Sequence, residues 1–148
     1  MGNKEKGANA ERELYQMFID NCFREVRVAG SGMMENTSCD LLAGKSGKKY
    51  AIECKATKNP NKYITKEQIS DFLVLSEIFG LEPVVAIKFN RKGWYFIHPR
   101  ELEDTGKYWS LSLKLAEAKG KRFSQMFEAV KKEESYDDLL GKEESKDL

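Results

Sequence analysis

Apolar residues recur at helical spacing near the start of the chain. Leu14, Tyr15, Phe18 and Cys22 form one stripe and predict a helix over 8–22. At about 100° per residue, Glu11 falls within that stripe, whereas Glu13 and Asp20 lie elsewhere. A carboxylate on the buried side is costly unless something compensates it. The ordinary alternative is an acid near a helix start, favoured by the macrodipole. Strict alternation follows over 24–29, with Val26 and Val28 on one face and Arg27 on the other. Gly30-Ser31-Gly32 breaks that strand, and a loose polar loop continues to Ser38. A short strand over 40–43 and a turn over 44–48 lead to a longer strand over 49–56. In it Tyr50, Ile52, Cys54 and Ala56 face one way, and Ala51, Glu53 and Lys55 the other.

Thr65-Lys66-Glu67-Gln68 reads as a capping box that opens a second helix, ending near Gly80. This helix is apolar most of the way round. Ile69, Phe72 and Leu73 cover one side, Val74 and Ile78 lie nearly opposite, and Leu75 and Phe79 fall between, so it needs cover on more than one side. Strands over 84–89 and 94–97 are joined by the hairpin loop Asn90-Arg91-Lys92-Gly93. Residues 111–130 predict a helix or two. The order α, β, β, β, α, β, β predicts an α/β fold, a mixed five-stranded sheet flanked by helices. Residues 1–130 make one domain, and 131–148 an acidic, flexible tail.

Composition narrows the classes. The chain has 148 residues and its hydrophobic fraction is 41%, enough for one self-sufficient core. No apolar run approaches the ~18 residues of a membrane span, and Met1 to Lys6 lack the apolar stretch of a signal peptide. A cytoplasmic protein is expected. Three cysteines (Cys22, Cys39, Cys54) without a C-x-x-C pair argue against a disulfide scaffold. With the single histidine His98, a zinc site would need carboxylates, and His98-Pro99 reads as an ordinary strand end.

The net charge of +1 conceals an uneven distribution. Residues 131–148 hold four lysines against seven acids, a net of −3, which leaves +4 for residues 1–130. Residues 45–66 alone hold seven lysines against one acid, Glu53. Such a patch attracts a polyanion, although a lone lysine run is also compatible with a solvated surface.

One constellation carries chemistry. Asp40 opens one strand, and Glu53 and Lys55 lie two apart on the next, so all three can converge at one sheet edge. This is D-x(n)-E-x-K, the pattern of the metal-dependent nuclease fold called PD-(D/E)xK. Phosphodiester hydrolysis needs an activated water and stabilisation of the charge that develops on phosphorus. Mg²⁺ takes hard oxygen ligands and keeps several waters, so a few carboxylates suffice. Asp40 and Glu53 are the expected ligands, with the backbone carbonyl of Cys54 as a third, and Lys55 is expected to orient the attacking water. A cross-strand ion pair on a solvated face is the structural alternative.

Over about 6–97 the chain resembles the archaeal Holliday junction resolvases. The residues carrying the resemblance begin with Gly7-Ala8-Asn9-Ala10-Glu11-Arg12-Glu13-Leu14 and Val26-Arg27-Val28-Ala29-Gly30-Ser31-Gly32. They continue with Asp40-Leu41-Leu42-Ala43-Gly44, Ala51-Ile52-Glu53-Cys54-Lys55, Phe79-Gly80 and Pro83-Val84-Val85-Ala86-Ile87-Lys88-Phe89. The resemblance implies a homodimeric, restriction-endonuclease-like enzyme that makes paired nicks in four-way DNA junctions in recombination and repair. The cofactor it implies is Mg²⁺, with Mn²⁺ expected to substitute, in an archaeal, nucleoid-associated setting. Glu11 then completes the active site, as a metal ligand directly or through water, beside Asp40, Glu53 and Lys55. Arg12 and Arg27 are expected at the DNA backbone, Ser31 near the scissile phosphate, and Lys58 and Lys62 in the DNA-binding patch. Leu75 and Phe79, with Val74 and Ile78, are expected at the dimer interface. Cys39 stands where the fold's name calls for proline. Two other readings remain: a repair or restriction-type nuclease acting on ordinary duplex, and a DNA-binding module without catalysis, against which the intact acidic set argues.

Overall fold

The computed structural model describes residues 3–28 and 39–127. Ser31 and its loop, and the acidic stretch 131–148, lie outside the described residues. Helix α1 (Asn3–Asp20) leads into β1 (Arg24–Arg27), β2 (Leu41–Lys45) and β3 (Lys48–Thr57). Then come β4 (Asn61–Thr65), α2 (Lys66–Phe79), β5 (Glu82–Phe89) and β6 (Gly93–Ile97). A single 3-10 turn, Pro99–Glu101, precedes β7 (Glu103–Asp104), β8 (Tyr108–Ser112), α3 (Leu113–Lys119) and α4 (Phe123–Met126).

The main sheet has the order β1-β2-β3-β5-β6. It is mixed: β3 and β5 pair in parallel through the α2 crossover, and every other pair is antiparallel. The five strands expected from alternation are therefore present and joined as a mixed sheet. Its two faces bury separate cores. On one, Leu14 and Phe18 of α1 pack over Leu41, Ile52, Val84 and Phe96, and Phe127 closes the end. Phe18, Phe23, Phe123 and Phe127 meet edge to face or tilted, centroids 4.7–6.3 Å apart. On the other, Ile69 and Phe72 of α2 pack over Ala51, Val85 and Ile87, together with Ile64 and Leu111 from a second sheet.

That second sheet, β4-β8-β7, has no counterpart in the expected elements. Other differences are local. Helix α1 begins at Asn3 rather than residue 8, and it ends at Asp20. Cys22 follows in a left-handed turn (φ 65°) and is exposed, so it does not belong to the apolar stripe. Val26 shares its face with Leu42 but is 60% exposed, because β1 is an edge strand. Leu73 on α2 is largely exposed, while the Thr65 hydroxyl accepts the Gln68 N–H at 3.1 Å and Gly80 closes the helix at φ 65°, as the capping pattern requires. His98 follows β6, where its Nδ1 accepts the Arg100 N–H at 3.0 Å and caps the 3-10 turn.

Candidate active site

Backbone pairing places Asp40. Its N–H donates to the Ile52 carbonyl and its carbonyl accepts from Val28, both at 2.9 Å, so the residue is held between the first and third strands. Among the described residues β2 pairs with β3 no further, and the Asp40 carboxylate takes that place. Its Oδ2 accepts the Cys54 N–H at 2.7 Å. The N–H and C=O of one strand residue leave toward the same edge. The Cys54 carbonyl therefore also faces the edge occupied by Asp40.

Glu53 and Lys55 share a face of β3, as their spacing requires, and Lys55 Nζ lies 3.5 Å from Glu53 Oε1. Both side chains are largely shielded, 15% and 17% exposed respectively. Burial pushes the Glu53 carboxyl up to about 8. The charge of Asp40 and a hydrogen bond to it act in the same direction, and Lys55 opposes them. Two carboxylates forced together in a shielded place favour a shared proton or a cation. The same surroundings hold Cys39 and Cys54 as neutral thiols: burial pushes Cys39 up to about 12, and Cys54 moves in the same direction. Cys39, in the position of the missing proline, is 1% exposed and packs into the α2-side core.

Glu11 reaches the opposite rim of this edge from α1. It lies well inside the helix, so a helix-start role does not explain it. Burial raises its proton affinity, the Asp40 charge adds to this, and Arg27, whose Nη2 is 3.9 Å away, opposes it. Glu11, Arg12, Tyr15, Arg27 and Leu41 line a cleft of about 230 Å³. Arg27 of β1 is thus brought to Glu11 and Arg12 of α1, with the Glu11 carboxylate near enough to Asp40 to feel its charge. Among the described residues, no three histidine, cysteine or acidic side chains cluster as a ready metal site. The oxygen groups gathered at this edge are the carboxylates of Asp40 and Glu53 and the Cys54 carbonyl.

Lys58 is exposed in the turn after β3, whereas Lys62 is half-buried on β4. On α2, Val74, Ile78 and Phe79 are 54%, 72% and 63% exposed, so neither α3 nor α4 covers them. Leu75 differs from the expectation. It is half-buried and packs in part against its own core.

A mixed sheet with acidic groups and a lysine at one edge, and a helix bringing a third acid, defines a restriction-endonuclease-like nuclease. The chain belongs to the archaeal Holliday junction resolvase (Hjc) family, whose profile matches residues 2–135. It is 40% identical over 102 residues to the crossover junction endodeoxyribonuclease Hjc of Methanocaldococcus jannaschii, covering 69% of this chain and 72% of that protein. It is 34% identical over 131 residues to the Hjc of Archaeoglobus fulgidus, covering 84% and 96%. The 1.6 Å structure of Archaeoglobus fulgidus Hjc, a Holliday junction resolvase, superimposes with a TM-score of 0.73 at 28% identity, covering 82% of this chain and 94% of that one. No helix among the described residues is long and apolar enough to cross a membrane.

Proposed function

We propose that this chain resolves four-way DNA junctions as a homodimer, each subunit hydrolysing one phosphodiester at the edge formed by Asp40, Glu53 and Lys55. The observation that carries this reading is one shielded carboxylate, Glu53, that interacts with Asp40 and has a lysine 3.5 Å away. Asp40, Glu53 and the Cys54 carbonyl would hold Mg²⁺, or Mn²⁺ in its place, and Glu11 would act through water. When bound, the ion supplies Lewis-acid polarisation of the phosphate and lowers the pKa of a coordinated water.

The side chains do the rest. Lys55 orients and polarises the attacking water, whose oxygen forms a new bond to phosphorus as one P–O ester bond breaks. The water's proton leaves to solvent, and the departing oxygen takes a proton from solvent, leaving a phosphate monoester and a hydroxyl. Glu11 and Arg27 pair across the rim, and Arg12 and Arg27 hold the flanking backbone phosphates. Lys58 adds sequence-independent attraction.

Two cuts require two sites, and the exposed Val74, Ile78 and Phe79 supply an isologous surface on which a second copy can dock. Nicking of a labelled four-way junction by the wild type, with Asp40→Ala and Glu53→Ala inactive but still binding, supports this assignment. Near-normal turnover by either variant in Mg²⁺ removes it.

A further inference from the structure

Lys62 differs from the surface lysines around it. The register pairs Lys62 with Leu111 and Ile64 with Trp109, so Lys62 and Ile64 share a face of the second sheet. Ile64 and Leu111 on that face are 1% and 0% exposed and join the core against Ala51, Val85 and Ile87. Lys62 therefore points inward, toward the face of the main sheet that also carries Glu53 and Lys55. Its neighbour Tyr63 points outward and is 56% exposed.

The surroundings of Lys62 lack compensation. Among the described residues its ammonium takes part in no ion pair, whereas Lys55 is matched by Glu53, Lys66 by Asp104 and Lys88 by Glu13. Burial lowers its proton affinity, and the charge of Lys55 lowers it further. A half-buried cation held beside another cation, with no carboxylate of its own, is unfavourable until an anion arrives. The group of opposite charge that this edge is built to receive is a phosphodiester.

We infer that Lys62, delivered from the second sheet, is a further catalytic residue that contacts a non-bridging oxygen of the scissile phosphate opposite Lys55. This rests on the proposed nuclease reading. It assigns the second sheet a task, adding a second cation to the one that Lys55 brings from the main sheet. An ammonium fixed at that oxygen gains strength as charge accumulates on the phosphate, so it acts on the rate more than on affinity. Lys58, exposed in the preceding turn, contributes only to affinity.

The test separates the two. Single-turnover cleavage of a four-way junction is measured at saturating protein for wild type, Lys62→Met and Lys62→Arg. Junction affinity against salt is measured for the same changes in an Asp40→Ala background, and melting temperatures confirm folding. Loss of one such donor costs about 10²-fold in rate. Lys62→Met is thus expected to fall by about that factor at saturation, with Lys62→Arg recovering most of it and affinity changing by less than about tenfold. A Lys62→Met rate equal to wild type overturns the inference, even if the salt slope becomes shallower by about 0.9, the signature of a simple backbone contact. An arginine variant as slow as the methionine variant also overturns it, because the position then matters for packing. Wild type that fails to cut at all defeats the nuclease reading instead, so the two failures are distinct.

Discussion

Individual residues carry the chemistry, and each resolves its own electrostatic problem differently. Asp40 spends one carboxylate oxygen on the Cys54 N–H, while Glu53 is shielded and shifted upward with Lys55 beside it. Asp40→Ala or Glu53→Ala should abolish cleavage in Mg²⁺ while leaving junction binding intact or tighter, because binding rests on the basic residues. A gel-shift titration beside a cleavage time course checks both halves. Glu25 presents the opposite case, a carboxylate with no evident chemical task. It lies on β1 opposite Ala43, with both oxygens buried and, among the described residues, without a hydrogen-bond partner, and burial pushes it up to about 8. An acid whose folded pKa is raised binds a proton in the native state that the unfolded chain releases, so stability falls as pH rises between the ordinary value of 4.5 and about 8. Glu25→Gln should melt close to wild type at pH 5 and a few degrees above it at pH 8.5. A gap independent of pH contradicts this account. The shared face of Glu53 and Lys55 and the approach of Asp40 to them were legible because strand alternation and spacing are local properties. Glu25 was not, because its burial depends on α1 crossing above it.

At the level of elements, the legible parts were those whose periodicity completes itself within one segment. Alternation placed β3, and the capping pattern at Thr65 and Gly80 placed α2. The second sheet escaped for a physical reason. Its β4 strand occupies only Asn61–Thr65, runs directly into the helix cap, and finds its partner β8 more than forty residues away, at Tyr108–Ser112. Short strands of this kind acquire their register from tertiary contact rather than from their own pattern. The orientation of Lys62 was hidden with them, although the residue itself was visible as part of a basic run. Helix α2 shows the reverse. Its all-round apolarity was legible, but only packing distinguishes Leu75, turned toward its own core, from Ile78 and Phe79, which face outward. Ile78→Glu with Phe79→Glu should place like charges in the proposed contact and yield monomers without unfolding the subunit. Sedimentation at micromolar concentration checks it: a monomeric wild type, or a double variant that stays dimeric, rules out this surface.

For the whole molecule, shape and charge act together. The α1 side buries an aromatic cluster and contributes Glu11, Arg12 and Arg27. The α2 side buries a mostly aliphatic core and contributes Glu53, Lys55 and Lys62. The sheet edge at Asp40 is where the two meet. With Lys55 beside Glu53 and Lys58 exposed in the turn after β3, junction affinity should fall steeply with salt, by about 0.9 in log–log slope for each phosphate neutralised. Lys58→Ala should flatten that slope on every DNA tested. An effect confined to junctions, with the slope unchanged, contradicts the reading of Lys58 as a sequence-independent contact. The measurement that bears most directly on the central claim is a strand-by-strand nicking assay on a four-way junction in Mg²⁺, run beside its component duplexes. The account predicts paired nicks in two strands of like polarity, little cutting of the duplexes, and no product from Asp40→Ala or Glu53→Ala protein that still binds. Equal cutting of junction and duplex, or turnover by either variant near that of wild type, would contradict it.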